Sequence, residues 1–324
     1  MVYAVRRALQ LVPALLAIVT LTFVIVHAAP GGPVVALSGE FSTAEYQRNI
    51  ERLYGLDRPL IEQYLVYIAR VLGGDLGQSY QFKRPVLAVI IDRLPATLLL
   101  MVPATVLSSL MGIWLGLLTV RRSATVSGSG VMLVILGSYA VPVFWLAQLL
   151  ILLFAIQLGW LPVQGMSDPR QRGDWSGEWL DVIRHMVLPV LTLALNHLAL
   201  TAVVTRARVR EEMQRPYFRT ALAKGLEHRV AVRRHALRNA FLPIVTVVGG
   251  RIGFILAGAV LVETVFAWPG LGRLVVIASL NRDYPLLLGL FVCISAITLF
   301  ANLLTDLLYA VIDPRVRQGA TSHA

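Results

Sequence analysis

The chain has 324 residues, of which 57% are hydrophobic and 15% charged, with a formal net charge of +11. Soluble domains average about 25% charged residues, so this composition excludes an ordinary soluble protein. The chain contains one cysteine, Cys293, which excludes an internal disulfide.

Long uncharged stretches predict an all-α integral membrane protein with a single transmembrane domain over 1–324. Each stretch holds at least 20 mostly apolar residues, enough helix for the roughly 30 Å core of a bilayer. The first stretch exceeds the about 7–15 apolar residues of a signal peptide, so we expect it to be retained. The predicted spans are about 8–28, 97–119, 130–156, 186–205, 241–262 and 286–311.

The distribution of charge predicts the orientation of these six spans. With the N-terminus in the cytosol, the cytosolic segments hold 16 Lys and Arg against 4 Asp and Glu, and the external segments hold 12 against 13. This asymmetry follows the positive-inside rule and places both termini in the cytosol. The basic excess then lies beside anionic lipid headgroups, so nucleic acid is not needed as a partner.

The first external loop, about 29–96, is predicted to be a small folded subdomain. Leu60–Leu72 has the pattern of a short amphipathic helix, and Gly73 and Gly74 follow it as breakers. We therefore expect an external cap at this place and not a flexible linker.

The loop 206–240 carries ten cations and three anions. Its apolar residues recur at helical spacing from Tyr217 to Leu226, which predicts a short helix that stops near Gly225. A second helical stretch is expected over Glu227–Asn239. The pattern alone favours an amphipathic connector bound to lipid headgroups over a docking element for another protein.

The chain lacks the sequence signatures of an energy source of its own. A P-loop needs a lysine after a fixed glycine spacing, and neither Lys83 nor Lys224, the two lysines, has it. Proton relays use carboxylates within the membrane, and among the predicted spans only Asp306 qualifies. We therefore expect no enzyme activity, no metal site and no cofactor in this chain.

Two stretches of the basic loop, Tyr217–Leu226 and His235–Asn239, resemble the EAA loop of ABC importer permeases. The variant is similar to that of the dipeptide/oligopeptide/nickel permease family. Ala221 keeps the Ala-x-x-x-Gly spacing, whereas Arg219 and Arg238 stand where the general pattern has Glu and Pro. Further short stretches that resemble this family are distributed over about 260 residues of the chain: Gly55–Pro59, Gly74–Ser79, Pro95–Leu98, Val262–Gly272, Asn281–Pro285 and Asp313–Arg315.

The resemblance implies the type I ABC importer permease fold in a bacterial inner membrane. It also implies a homologous second permease, two cytosolic ATPases that hydrolyse ATP with Mg, and an extracytoplasmic solute-binding protein. Dipeptides or oligopeptides are the expected cargo, with nickel chelates or glutathione as alternatives. A stand-alone secondary carrier or channel is the rival interpretation.

Three groups of site residues are predicted, the coupling and gate groups from the resemblance and the pathway group from the residues of the spans themselves. The expected ATPase-coupling residues are Tyr217, Phe218, Arg219, Ala221, Leu222, Lys224 and Gly225, with the apolar ones in contact with the ATPase and the cations at the rim. The candidate pathway residues are Arg251, Gly250 and Asn196. The candidate external gate is Trp268, Pro269 and Gly270, with Trp268 and Tyr284 also fitting an interfacial aromatic belt.

Arg251 has two open interpretations. Inserting an arginine at mid-helix costs roughly 2.5–3.5 kcal/mol, so its side chain should face protein or water and not lipid. It either lines the pathway and meets the substrate, or it is a structural charge buried against a partner subunit.

Overall fold

The computed structural model describes residues 2–28, 43, 45, 48, 51–52, 57–121, 126–168, 175–250 and 252–312. Within these ranges the regular elements are helices, and one isolated antiparallel bridge joins Gln78 and Pro85. The helices are α1 (Val2–Ala28), α2 (Leu60–Leu72), α3 (Val86–Arg121), α4 (Val126–Ala140), α5 (Val143–Leu150), α6 (Trp175–Met213), α7 (Pro216–Ala223), α8 (His228–Ala231), α9 (Leu237–Gly249), α10 (Ile252–Val265), α11 (Leu271–Leu280) and α12 (Tyr284–Ile312).

Three of the described helical stretches are long and apolar enough to cross a membrane: Val86–Val120, Gly177–Met213 and Tyr284–Thr305. A fourth candidate is the bent pair Gly130–Ala140 and Val143–Gln157. Two shorter apolar helical stretches are Gln10–Ile25 and Leu271–Leu280. The predicted number of six spans and the predicted orientation stay predictions.

The predicted third span, 130–156, is not one straight helix. Its two halves meet at an angle of 104°, and the second half begins after Pro142, whose backbone is extended with φ −57° and ψ 135°. A proline disfavours the helical conformation of the residue before it, so the chain breaks at Val141. The second half then widens into a π-helical stretch, Ile151–Gln157.

Several helices extend beyond the membrane spans that the sequence predicts. The helix of the second span begins at Val86 and not near residue 97, because Pro95 does not interrupt it; proline is tolerated in helices of membrane proteins. Residues 206–213, predicted to lie in the loop, continue α6. The predicted fifth span, 241–262, consists of α9 and α10, with Arg251 outside the described residues.

The chain divides into two compact units, of which the first comprises Met1–Thr97 and Pro269–Phe300. Its core joins the start of α3 to α11 and the first half of α12. Gly289 allows the close approach of α12 to α3, since an added Cβ would overlap with Cγ1 of Val86. The buried residues of this core are Val86, Val89, Ile90, Leu271, Leu274, Ala278, Leu286 and Leu290.

The second unit comprises Leu98–Trp268 and Ala301–Ala324, and α6 is its central helix. α4, α5, α9 and α10 all pack against α6. Gly112 of α3 lies so close to α6 that an added Cβ would be 2.6 Å from the Cβ of Thr201. Small residues of this kind let two helix backbones approach closely in a membrane protein, where packing replaces the hydrophobic effect.

Candidate functional site

The predicted short helix of the basic loop is present as α7, Pro216–Ala223. Its first residue is a proline, which suits this position because the first N–H of a helix has no partner within the helix. The preceding residue, Arg215, has the extended backbone expected before a proline, with φ −67° and ψ 148°.

The C-terminal end of α7 is a Schellman motif. The N–H of Gly225 donates to the carbonyl of Leu222 at 2.9 Å, and the N–H of Leu226 donates to the carbonyl of Ala221 at 3.3 Å. Gly225 has φ +85°, in the left-handed region that this motif requires and that side chains disfavour. The expected sharp turn at Gly225 is therefore present.

The apolar face of α7 is buried within the second unit. Phe218 is 3% exposed and Ala221 is 8% exposed, and the Phe218 ring meets the imidazole of His228 edge-on, with centroids 5.9 Å apart. The cluster joins α7 to α3, α6 and α9 through the buried residues Val120, Val209, Phe218, Ala231, Val232, Ala236, Ala240 and Ile244. Tyr217 and Leu222 pack against it while partly buried.

This burial corrects one expectation, because Phe218 and Ala221 are not available as apolar contacts for another protein. The residues that α7 leaves exposed are Pro216, Arg219, Thr220 and Ala223, together with Lys224 and Gly225 beyond its end. The inward residues anchor α7, and the outward residues form a small, basic and mostly polar surface.

A polar contact fastens the start of α7 to the end of α6. The hydroxyl of Tyr217 donates to Oε2 of Glu212 at 2.5 Å. Burial and this hydrogen bond to a carboxylate raise the pKa of Tyr217. Arg215 extends the same contact, with Nη2 3.5 Å from Oε1 of Glu211 and Nε 3.9 Å from Oε1 of Glu212.

The candidate pathway residues are only partly described. Gly250 caps α9 with an ordinary negative φ of −64°, and its N–H donates to the carbonyl of Thr246 at 3.0 Å. Asn196 is half-buried on α6, the helix along which α9 packs. Arg251 lies outside the described residues, so both interpretations of its role stay open.

The candidate external gate differs from its expected form at Trp268. This side chain is fully buried, so it is not part of a lipid-facing aromatic belt. The backbone N–H of Trp268 donates to the backbone carbonyl of Glu263 at 2.8 Å, and the backbone N–H of Gly165 donates to the backbone carbonyl of Phe266 at 2.8 Å. Two loops of the second unit are thus joined at this point. Pro269 and Gly270 directly precede α11, with Gly270 at its N-cap.

Two buried carboxylates were missed by the analysis of the sequence. Glu263 and Asp283 are fully buried, although both lie in stretches that were predicted to be external loop. Their only sequence signal is that each lies in a stretch that resembles the permease family. Ala267, with φ +50°, also lies in one of these stretches.

Residues 86–318 match the family described as binding-protein-dependent transport system inner membrane component. Residues 1–101 match the N-terminal family of the same membrane components.

Three relatives cover nearly the whole chain. The sequence is 36% identical over 331 residues to the di/tripeptide transport system permease protein DppB of Pseudomonas aeruginosa (strain UCBPP-PA14), covering 97% of this chain and 98% of the relative. It is 38% identical over 335 residues to the dipeptide transport system permease protein DppB of Escherichia coli (strain K12), with the same coverage. It is 36% identical over 316 residues to the oligopeptide transport system permease protein AppB of Bacillus subtilis (strain 168), again covering 97% and 98%.

The long apolar helices define an integral membrane protein with several helices. Its basic loop carries the short helix α7 at the surface, and the protein's own core holds this helix in place. The chain belongs to the family of binding-protein-dependent transport system inner membrane components. The resemblance to ABC importer permeases is thereby confirmed at the level of the family, and with it the inner membrane as location.

Proposed function

We propose that this chain is one permease subunit of an ATP-driven importer and forms half of a pathway for dipeptides or oligopeptides. The observation that carries the proposal is α7. An amphipathic connector bound to headgroups would turn its apolar face to lipid, but Phe218 and Ala221 are buried in the protein's own core. The face that remains carries Arg219 and Lys224, which fit the polar rim of a docking surface.

The partners in this proposal are a homologous second permease, two cytosolic ATPases and an extracytoplasmic solute-binding protein. Six spans with both termini in the cytosol would put α7 on the side of the ATPases, in the type I importer fold. The ATPases would bind and hydrolyse ATP with Mg, and this chain would contribute no catalytic residue. The excess of basic residues in the predicted cytosolic segments supports this orientation.

The proposed coupling is mechanical. When nucleotide closes the two ATPases, they displace α7 as a rigid body, since the Schellman motif fixes its end and a proline fixes its start. The displacement reaches the membrane because Phe218 packs in one core with Val209 of α6 and Ile244 of α9. Close-packed cores transmit such shifts instead of absorbing them. α6 and α9 would then tilt and change access to the pathway.

The cargo is proposed from the relatives, whose names specify di- and tripeptide, dipeptide and oligopeptide transport. Nickel chelates or glutathione would use the same architecture, with selection resting largely on the binding protein. A stand-alone carrier or channel would give the exposed face of α7 no partner.

Cross-linking from α7 tests the proposal in the assembled complex. In a Cys293→Ala background, a thiol cross-linker at Lys224→Cys should capture the ATPase subunit, and the yield should change with ATP. Asn281→Cys is the matched control, exposed on the predicted external side. Equal capture from both positions, or uptake of a labelled dipeptide by this chain alone in liposomes, would overturn the proposal.

A further inference from the structure

One face of α2 (Leu60–Leu72) is fixed against α1 in the first unit. The hydroxyl oxygens of Tyr64 and Thr20 are hydrogen-bonded at 2.5 Å. The ring of Tyr67 stacks on the ring of Phe23, with centroids 5.7 Å apart and planes inclined by 30°. α2 is therefore a neighbour of α1 and not a detached cap.

These contacts define the depth of α2 in the membrane. Thr20 and Phe23 lie within Gln10–Ile25, the apolar stretch of α1. A second polar contact lies beyond that stretch, where Nε2 of His27 is 3.2 Å from Oε1 of Gln63. Because the apolar stretch of α1 belongs in the hydrocarbon core, the part of α2 beside it lies at the level of acyl chains and not in bulk water.

The face of α2 that points away from α1 is apolar and uncovered. Ile61 is 75% exposed, Leu65 is 60% exposed and Leu72 is 76% exposed. Their spacing of four and then seven residues aligns them in one stripe along a helix of 3.6 residues per turn. Large apolar side chains in such a row are unfavourable in water, because removing each of them from water lowers the free energy.

The polar side chains of α2 lie apart from this stripe. Glu62 forms an exposed ion pair with Arg58, with Nη1 and Oε1 2.9 Å apart. Arg70 lies near the end of the helix, about 140° around the axis from Leu65 by the 100° per residue of an α-helix. α2 thus has one face against α1, one apolar face and one charged edge, the arrangement of a helix that lies in a membrane interface.

We infer that α2 lies in the external interface of the membrane, with the stripe of Ile61, Leu65 and Leu72 inserted among the lipid acyl chains. Lipid is the occupant because the contacts of α2 with α1 fix its depth, and because the charges are confined to the edge where headgroups and water would meet them. The expected external cap therefore carries a membrane anchor. The inference needs neither a cargo nor an ATPase, so it stands independently of the proposed function.

Depth-dependent fluorescence quenching tests this inference in the assembled complex. We would attach an environment-sensitive fluorophore to Leu65→Cys in a Cys293→Ala background and place the complex in phosphatidylethanolamine/phosphatidylglycerol nanodiscs. Arg70→Cys, on the polar side of the same helix, is the matched control. Nitroxide-labelled acyl chains should quench the label at position 65 at least about twofold more strongly than the label at position 70, with a blue-shifted emission at 65.

Two results would overturn the inference. Equal and weak quenching at both positions would place the stripe in water. A photoreactive group at position 65 that captured another polypeptide instead of lipid would make the stripe a protein interface. Ile61→Cys, one turn earlier in the stripe, provides a second labelling site if Leu65→Cys lowers the yield of assembled complex, and it must give the same strong quenching.

Discussion

The hydroxyl of Ser79 donates a 2.5 Å hydrogen bond to Oδ2 of Asp283, across 204 positions of the sequence. Both side chains are buried, with 1% and 0% exposure. The same carboxylate accepts the N–H of Gln81 at 3.1 Å and the N–H of Leu286 at 3.3 Å. The bond to Leu286 is an N-cap of α12, so Asp283 both caps a long helix and ties the loop before α3 to it.

Replacing Asp283 is expected to destabilise the first unit. Asp283→Ala leaves three donors without their acceptor, two of them buried, which should lower the free energy of unfolding by roughly 3 kcal/mol. Ser79→Ala removes one of these bonds and should cost less. Thermal unfolding of the purified complex measures both. Because Ser79 acts through Asp283, the double variant should lose less stability than the sum of the single losses, and strict additivity would contradict the contact.

The close packing of α3 on α6 predicts different outcomes for two glycines. A Cβ at Gly116 would lie 2.7 Å from the carbonyl oxygen of Ala202, a backbone atom that cannot rotate away. Gly116→Ala should therefore force the helices apart and lower the free energy of unfolding by about 1–3 kcal/mol. Gly137→Ala in α4 is the matched control, since nothing lies within 4 Å of its added Cβ.

The control variant should keep or slightly raise stability, because alanine is the better helix former by up to about 1 kcal/mol. The comparison uses the apparent unfolding temperature of the two variants in the same lipid or detergent. Equal temperatures for Gly116→Ala and the wild-type protein would refute the close approach of α3 and α6.

The sequence predicted α7 and several apolar spans because their signals are local. Apolar residues at helical spacing and the stop near Gly225 mark the short helix, and uncharged stretches mark the spans. The direction of the apolar face of α7 was not predictable, since Phe218 shares a buried cluster with Val209 and Ile244, which the fold alone brings near. The fully buried Trp268 was wrongly assigned to an aromatic belt for the same reason: an aromatic residue in a predicted loop gives no signal of its burial.

Substitutions at two neighbouring positions of α7 should distinguish a residue that anchors the helix from a residue that contacts the ATPase. Phe218→Ala deletes a ring that is 3% exposed, so it should lower the free energy of unfolding by about 3–5 kcal/mol. Arg219→Ala removes an exposed side chain and should leave stability nearly unchanged. If α7 docks an ATPase, Arg219→Ala should still reduce ATP-driven uptake of a labelled dipeptide in proteoliposomes. Full uptake by that variant would remove Arg219 from the proposed docking surface.

Gly225 allows the backbone conformation to be tested separately from charge. With φ +85° and nothing within 4 Å of an added Cβ, a substitution here is strained by conformation and not by crowding. Asparagine tolerates the left-handed region better than other side chains, so Gly225→Asn should keep most of the uptake, whereas Gly225→Val should lose it. Gly225→Asp is similar in shape to Gly225→Asn but adds a negative charge beside Lys224, and we expect it to abolish uptake with the subunit still inserted in the membrane.

Membrane fractionation checks insertion, and uptake of a labelled dipeptide checks coupling. Uptake lost by Gly225→Asp and kept by Gly225→Asn would assign the defect to charge at the docking surface, because the two side chains have nearly the same shape. Loss in both would assign it to the turn that ends α7. Normal uptake in both, and in Gly225→Val, would mean that the left-handed turn is not part of coupling, and the role proposed for α7 would have to be abandoned.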